Sequence, residues 1–384
     1  MNQEFDIGIL GGGCAGLQLL YHLTQQKQWP GLKVLLIDDP AEKSNASWCF
    51  WSKPDHPLQH LVSKSWENLC FKSTDGMIKQ ESIAPYRYHY IQGENFFNYF
   101  WQELIPANTN ITVARDQVTH ICKQASGFYI ETNHQNFTVK KCFSSIITQE
   151  FKPAAALWQH FKGWHIEVDT GVFDDKTATL MDFSVPAAPA NCFIYILPFS
   201  RHKALIEATF FSMTIASDHV YEQLIRQYIS SNYPGLNYRV ISAEKGRIPL
   251  SQQLGSHYGR AGEVLIGTAG GMVKATSGYA FSRIDRDSKL LAQHLMSGDE
   301  QKRSGTKGRF RFYDTLFLRI LKEHPDCMAS IFKSLFLKNR IKNVLQFLDE
   351  DTSIAQESTI FATLPLMPFI KQALKYCIRS NIGI

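Results

Sequence analysis

No two of the eight cysteines, at positions 14, 49, 70, 122, 142, 192, 327 and 377, have the CxxC or other spacing of a metal or redox centre, so no metal site is expected. A basic, apolar, small-residue leader pattern is also lacking at the N-terminus, which points to a reducing cytoplasm as the compartment. No window reaches the roughly 18 uninterrupted apolar residues that a spanning helix requires, which restricts membrane contact to one side. Internal repeats and low-complexity segments are absent. So are nucleic-acid-binding motifs and any dense cationic stripe, and no nucleic-acid partner is expected.

What is present is ample material for burial. The chain has 384 residues, 44% of them hydrophobic, which suits two or three structural units sharing cores. Aromatics make up 12%, with 26 Phe and 15 Tyr, a share that fits large apolar cores or a pocket for an apolar ligand. The net charge of +5 is unevenly placed: residues 301–384 carry 14 Lys and Arg against 7 Asp and Glu, leaving 26 against 28 for residues 1–300. In that tail Phe310, Phe312, Leu316, Phe317, Ile320, Leu321, Ile331, Phe332, Leu335 and Phe336 interleave with Arg309, Arg311, Arg319, Lys333, Lys338, Arg340 and Lys342. One pattern serves two readings, a basic amphipathic layer on an anionic membrane surface or a helical layer packed on the body with a solvated rim.

The most informative stretch is Phe5-Asp6-Ile7-Gly8-Ile9-Leu10 running into Gly11-Gly12-Gly13-Cys14-Ala15-Gly16. It predicts a strand, a phosphate-binding turn and a helix over 15–26. Gly11 allows the sharp turn, Gly13 removes a side chain that would block a pyrophosphate, and Gly16 lets helix and strand pack closely. Cys14 and Ala15 open the helix, where unpaired amides and the helix dipole favour an anion. The next strand, Lys33–Ile37, ends in Asp38, an acid placed to bind a ribose hydroxyl. Much later Glu263-Val264-Leu265-Ile266-Gly267 runs into Thr268-Ala269-Gly270-Gly271 and a helix from about 278 to 296. A second strand–glycine–helix crossing, with Gly267, Gly270 and Gly271 offering bare backbone, favours FAD over NAD.

Inserts at about 48–105 and 152–243 are rich in Trp, Tyr, Phe and Pro. In the second, 193–198 and 204–211 alternate as two strands joined by a turn at 199–203, predicting a sheet that floors a pocket beside the flavin. Glu207 lies in the latter strand, between Leu205-Ile206 and Phe210-Phe211. Facing an apolar pocket it would be desolvated, stay protonated near neutral pH and serve as an acid. Alternation does not settle the direction, and on the residues alone a solvent-facing position outweighs a catalytic one.

The order of further motifs carries a resemblance. Trp48-Cys49-Phe50-Trp51, Trp158–Trp164, Thr179–Phe183, Tyr195-Ile196-Leu197-Pro198-Phe199-Ser200 with Leu205-Ile206-Glu207-Ala208-Thr209, Glu244-Lys245-Gly246-Arg247-Ile248-Pro249-Leu250 and Thr276-Ser277-Gly278-Tyr279 follow one another along about 300 residues. In that order the chain resembles the flavin-dependent lycopene cyclases of bacteria and plants, and more distantly proteins with the p-hydroxybenzoate-hydroxylase type of FAD fold. The resemblance implies an α/β chain with a discontinuous FAD-binding domain (1–47, 106–151 and 244–300), a substrate domain (48–105 and 152–243) built on an inserted β-sheet, and a C-terminal helical region (301–384). The implied activity is a redox-neutral isomerisation that closes the acyclic ends of lycopene, or a related carotenoid, into β-type rings. Glu207 supplies the proton, FAD acts in its reduced form, and NAD(P)H is the reductant. Trp48, Phe210 and Tyr279 are the expected aromatic contacts to substrate, and a peripheral position on the inner membrane face is expected. A hydroxylase or prenyl reductase on the same fold, or a non-catalytic prenyl or lipid carrier, are the alternatives. Thr148-Gln149-Glu150 replaces the family's usual Asp with a nearby Arg, Val273-Lys274-Ala275 lacks the usual His-Pro, and Ala208 stands where a second acid is common.

Overall fold

The computed structural model describes residues 4–39, 46–146, 157–185, 188–251, 257–297 and 307–382. The strands in chain order are β1 (Glu4–Leu10), β2 (Val34–Asp38), β3 (Trp48–Ser52), β4 (Lys64–Trp66), β5 (Asn68–Lys72), β6 (Ile78–Ser82), β7 (Arg87–Ile91), β8 (Ile111–Arg115), β9 (Val118–Gln124), β10 (Gly127–Thr132), β11 (Asn136–Ser144), β12 (Leu157–Val168), β13 (Thr177–Asp182), β14 (Cys192–Ser200), β15 (Lys203–Ser212), β16 (Tyr238–Leu250) and β17 (Val264–Leu265). The helices are α1 (Cys14–Thr24), α2 (Gly93–Asn98), α3 (Asp218–Asn232), α4 (Phe281–Ser297), α5 (Gly308–Glu323), α6 (Cys327–Lys338), α7 (Ile341–Leu348), α8 (Ile354–Phe361) and α9 (Leu366–Ile382).

The first sheet has the order β8-β2-β1-β11-β10-β9, with β17 also beside β11. Its β8, β2, β1, β11 and β17 are parallel, as crossovers through α1 require, while β9 and β10 form an antiparallel ribbon on β11. Continuous apolar runs such as Val34-Leu35-Leu36-Ile37 suit strands covered on both faces. One face packs Ile7 and Ile9 with Leu17 and Leu20 of α1 and Phe281, Ile284 and Leu291 of α4. Another cluster joins Leu35, Ile37, Phe137 and Val139 to Phe128 and Ile130 of the ribbon.

The second sheet, β16-β12-β15-β14-β13-β5-β6, likewise has seven strands. Behind it lies α3, whose Tyr221, Leu224, Ile225 and Tyr228 bury against Trp164, Ile194, Ile206 and Phe210. On the front, Leu180, Phe193, Leu205 and Phe211 share a core with Tyr88 and Tyr90 of the three-stranded sheet β3-β7-β4 and with α5–α7. The expected boundary at 243/244 falls inside β16, whose residues Glu244–Leu250 pair with Gly163 back to Leu157 of β12. That segment therefore belongs with the inserted sheet; cross-strand pairing places it there.

Of the two readings of the basic tail, the packed layer describes α5 and α6. Phe310, Leu316, Phe317, Ile320, Leu321, Ile331, Phe332, Leu335 and Phe336 are all buried, and Phe336 stacks on Phe71 at 5.1 Å. The large apolar side chains left exposed in the tail are Ile354 at the start of α8 and Leu366, Met367, Ile370 and Leu374 of α9. No helix among the described residues is long and apolar enough to cross a membrane.

Buried charge ties this layer to the first sheet. Lys274, 2% exposed, pairs with Asp314 at 2.9 Å and Glu350 at 3.0 Å, and Arg283 reaches Glu350 at 2.8 Å. Glu350 holds a left-handed backbone (φ 61°), a strained conformation for a non-glycine residue that these contacts over-determine. Lys274→Met strands two buried carboxylates with one remaining cation, and is expected to cost about 3–5 kcal/mol, read as a lower urea midpoint. Adding Asp314→Leu should recover part of that loss.

Candidate functional site

The first half of the site is the turn between β1 and α1. Gly11 has φ 99°, and a Cβ at Gly16 would collide with the Gly11 carbonyl oxygen, so strand and helix close as the sequence requires. A Cβ at Gly13 would meet nothing within 4 Å. Gly13 is the N-cap of α1, with no side-chain cap and no acid in the first turn. Bare first-turn amides therefore face open space, a cradle suited to an anion. Gly267, at φ 61°, lies against Ala15: an added Cβ would come within 2.6 Å of the Ala15 Cβ. The two glycine turns thus meet, with Gly270 pressed on the Leu265 carbonyl and Gly271 at φ 78°.

Asp38 stands at the end of β2. Its Oδ1 accepts the Gly12 N–H at 2.8 Å and its Oδ2 pairs with Arg115 at 2.6 Å, while Arg115 lies 3.7 Å over the Trp101 ring. Partial burial raises its pKa, opposed by the Gly12 hydrogen bond and Arg115. Each oxygen keeps acceptor capacity for a ribose hydroxyl. Cys14 is a structural thiol: its Sγ accepts from Gln18 at 3.2 Å, and burial pushes its pKa up. Open cradle, bare amides and terminal acid fit a dinucleotide of the FAD type. Thr148-Gln149-Glu150 lies outside the described residues.

The second half is the front of the inserted sheet. Along β15, Leu205, Glu207, Thr209 and Phe211 alternate with Ile206, Ala208 and Phe210, which join the α3 cluster. Phe210 is therefore corrected: it stacks on His160 at 5.3 Å and meets Tyr221, on the opposite face from Glu207. Trp48 sits in the core of the first sheet, against Phe96 at 4.7 Å and Phe281 at 6.0 Å. Tyr279 lies on the Glu207 side of the sheet, and its phenol pKa is raised by burial and also by the Glu207 charge. Its ring meets Trp51 at 4.8 Å, and its hydroxyl and that of Tyr195 each lie 2.7 Å from the Tyr88 hydroxyl.

Glu207 is 6% exposed. It stands opposite Tyr195 on β14 and opposite Gly163 on β12, and Gly163 stands opposite Glu244 on β16. The three positions form one row, and the middle one has no side chain. A Cβ at Gly163 would come within 2.7 Å of Leu205 and 3.1 Å of the Glu207 Cβ. Across that gap Glu244 lies close enough to Glu207 for its charge to act on the Glu207 carboxyl. Thr209 Oγ1 donates to Glu207 Oε1 at 2.6 Å, and His165 Nε2 lies 3.2 Å from Glu244 Oε2, its ring stacked on Phe199 at 5.6 Å. Burial holds the Glu207 pKa well above the ordinary value and Glu244 adds to the rise, outweighing the Thr209 hydrogen bond. Burial likewise raises Tyr88 and Tyr195, and brings Cys49 to about 12.

Glu244, His165, Tyr88 and Tyr195 are site residues that sequence reasoning did not assign. The signal available was Gly163, a glycine in a strand interior, which marks a close approach by neighbours. Ala208 faces the α3 cluster, whereas Glu244 brings a second carboxyl to the Glu207 row from another strand.

A doubly glycine-gripped parallel sheet carrying an inserted antiparallel sheet places the chain among proteins with the p-hydroxybenzoate-hydroxylase type of FAD fold. It is similar to a geranylgeranyl bacteriochlorophyll reductase-like protein of Thermoplasma acidophilum (14% identity, TM-score 0.62, 97% of this chain and 99% of that one). It is also similar to a flavoprotein/dehydrogenase of Cytophaga hutchinsonii (12%, 0.58, 94% and 99%) and to p-nitrophenol 4-monooxygenase of Pseudomonas putida (13%, 0.55, 94% and 97%). At these identities the likeness is one of fold. The chain belongs to the lycopene cyclase protein family, whose model matches residues 6–374. No curated protein sequence matches it significantly.

Gly13→Val places a side chain in the open cradle without touching the core. The unfolding midpoint of the apoprotein should shift by no more than about 0.5 kcal/mol, while FAD affinity, read by flavin fluorescence quenching, should fall at least about tenfold (about 1.4 kcal/mol).

Proposed function

We propose that this protein is an FAD-dependent carotenoid cyclase that converts the acyclic ends of lycopene, or a close relative, into β-type rings. The observation that carries the reading is the buried Glu207 carboxyl, set in one cross-strand row with a second carboxyl, Glu244, on an aromatic face. Protonating an alkene needs an acid kept neutral in a dry place, and burial beside a like charge is how a protein keeps one. Reduced FAD, regenerated by NAD(P)H, supplies negative charge that stabilises a carbocation without net redox change.

The chain's own residues do the rest. Glu207 delivers its proton to the terminal alkene, and the neighbouring double bond captures the cation as the ring closes. Trp51 and Tyr279 offer aromatic faces that attract a cation, and the apolar core behind Tyr88 and Tyr90 excludes water. A carrier of prenyl groups has no use for a buried acid, and a hydroxylase or reductase has no need of paired carboxyls.

The reading is tested by anaerobic incubation with lycopene and either oxidised or chemically reduced FAD. A cyclic isomer of unchanged mass, formed only with reduced flavin, is the expected product; an oxygenated or hydrogenated product overturns the reading. Glu207→Gln should lower turnover by about 10²–10⁴-fold. The same substitution should stabilise the fold at pH 7. Between the ordinary glutamate value near 4.5 and its raised native value, native Glu207 keeps a proton that the unfolded chain has lost, so stability falls as pH rises through that window. The variant lacks this slope, and its advantage in melting temperature should vanish as pH falls to about 4.

Delivery of a water-insoluble polyene calls for contact with a lipid surface, which we assign to α9, on the cytoplasmic face of the inner membrane. Leu366, Ile370 and Leu374 lie four residues apart, beside exposed Met367, Lys371 and Lys375, an arrangement suited to anionic headgroups above apolar chains. The inward side is held by Gln372, which donates to Glu323 at 2.7 Å, and by Tyr376 against Phe312. Changing Leu366, Ile370 and Leu374 together to Ser should reduce co-sedimentation with phosphatidylglycerol vesicles at least about tenfold and leave the melting temperature unchanged. Wild-type sedimentation by the variant removes the assignment.

A further inference from the structure

Ring closure needs a proton in and a different proton out, and the row across β15, β12 and β16 holds two carboxyls in unlike surroundings. Glu207 is 6% exposed and accepts the Thr209 hydroxyl. Glu244 has 26% of its side chain exposed and faces His165 Nε2. His165 Nε2 lies within hydrogen-bond distance of Glu244 Oε2, so one carboxyl of the row is enclosed and the other is partly open and held by an imidazole. A pair whose surroundings separate acid from base has its roles divided by position.

We propose that Glu244 is the base of the reaction, that it selects which proton leaves and hence where the ring double bond forms, and that His165 is its positioning residue. The inference rests on the cyclase reading above. The steps balance without an oxidant. The Glu207 O–H bond breaks and its proton bonds to a carbon of the terminal alkene, leaving the adjacent carbon cationic. The electron pair of the neighbouring double bond forms the ring C–C bond and moves the charge to a ring carbon. A C–H bond beside that carbon breaks, its pair becomes the ring double bond, and the proton passes to the Glu244 carboxylate. Glu244 is then protonated and Glu207 ionised. Return of the proton to Glu207 across the gap at Gly163 restores the starting pair.

Two carboxyls on one row cannot reach every hydrogen around the ring equally. Glu244 is fixed by β16 pairing through Gly163 and by His165, whose ring is stacked on Phe199. Whichever C–H bond points at this carboxylate is the one that breaks.

The experiment compares wild type, Glu244→Gln, Glu207→Gln and His165→Phe, loaded with reduced FAD and given lycopene in D₂O. Ring double-bond isomers and deuterium content are measured in product and in recovered substrate. Glu244→Gln keeps the acid, so it should either yield a mixture of ring isomers at least tenfold more slowly, or stall and wash deuterium into recovered lycopene as the cation returns its proton. Glu207→Gln should show neither cyclisation nor wash-in. His165→Phe should retain cyclisation but at least double the share of minor ring isomers, an outcome that mere loss of stability does not produce. The proposal is overturned if Glu244→Gln gives only the wild-type isomer, if it is inactive without wash-in, or if His165→Phe matches the wild-type isomer ratio. Failure of the wild-type enzyme to cyclise overturns the cyclase reading itself.

Discussion

A carboxyl buried in an apolar enclosure beside a second acid is the constraint around which the molecule is arranged. An ionised carboxylate taken from water without partners costs many kcal/mol, so Glu207 stays neutral only while its surroundings remain dry. Dryness is provided by the front of the inserted sheet, the tyrosines of the three-stranded sheet and the C-terminal helices, which close into one core. Closeness of the two acids is provided by a missing side chain at Gly163. The site is therefore a property of sheet register as much as of residue identity. A slip of one residue in β16 would carry Glu244 to the other face.

The parts of this architecture legible in sequence were those encoded by neighbours along the chain. Gly11, Gly13 and Gly16 announce their turn because each answers a local steric demand, and the β14–β15 hairpin follows from alternation around a short turn. Glu207 resisted the same treatment because β15 is buried on both faces from Ala204 to Phe211, so there is no polar side to identify. That also explains Phe210: on a strand enclosed by α3 behind and the core in front, hydrophobicity carries no information about direction. Glu244 and His165 lie far apart in sequence and meet only through β12–β16 pairing, which no local pattern announces. The tail was ambiguous for a related reason. An amphipathic helix reads alike whether its apolar side meets protein or lipid, and the structure divides the answer, with α5 and α6 packed and part of α9 exposed.

The fold is shared with flavoproteins described as reductase-like, dehydrogenase and monooxygenase, at identities of 12–14%. The cradle at Gly13 and Asp38 belongs to the dinucleotide fold, whereas the Glu207–Gly163–Glu244 row belongs to the inserted sheet. Function here is grafted onto a scaffold, as is usual for widely used folds.

The buried cluster around Lys274 has a consequence for how the protein is made. The Lys274 carbonyl accepts from Ser277 and Gly278 in the turn that presents Tyr279, while its ammonium is neutralised by Asp314 and by Glu350, which lies more than three-quarters of a century of residues downstream. Until that distant segment is synthesised, the Lys274 cation has neither carboxylate beside it. The nascent chain can build its nucleotide-binding half early, but the ion cluster that braces the Tyr279 turn is complete only once residues as far as Glu350 have been made.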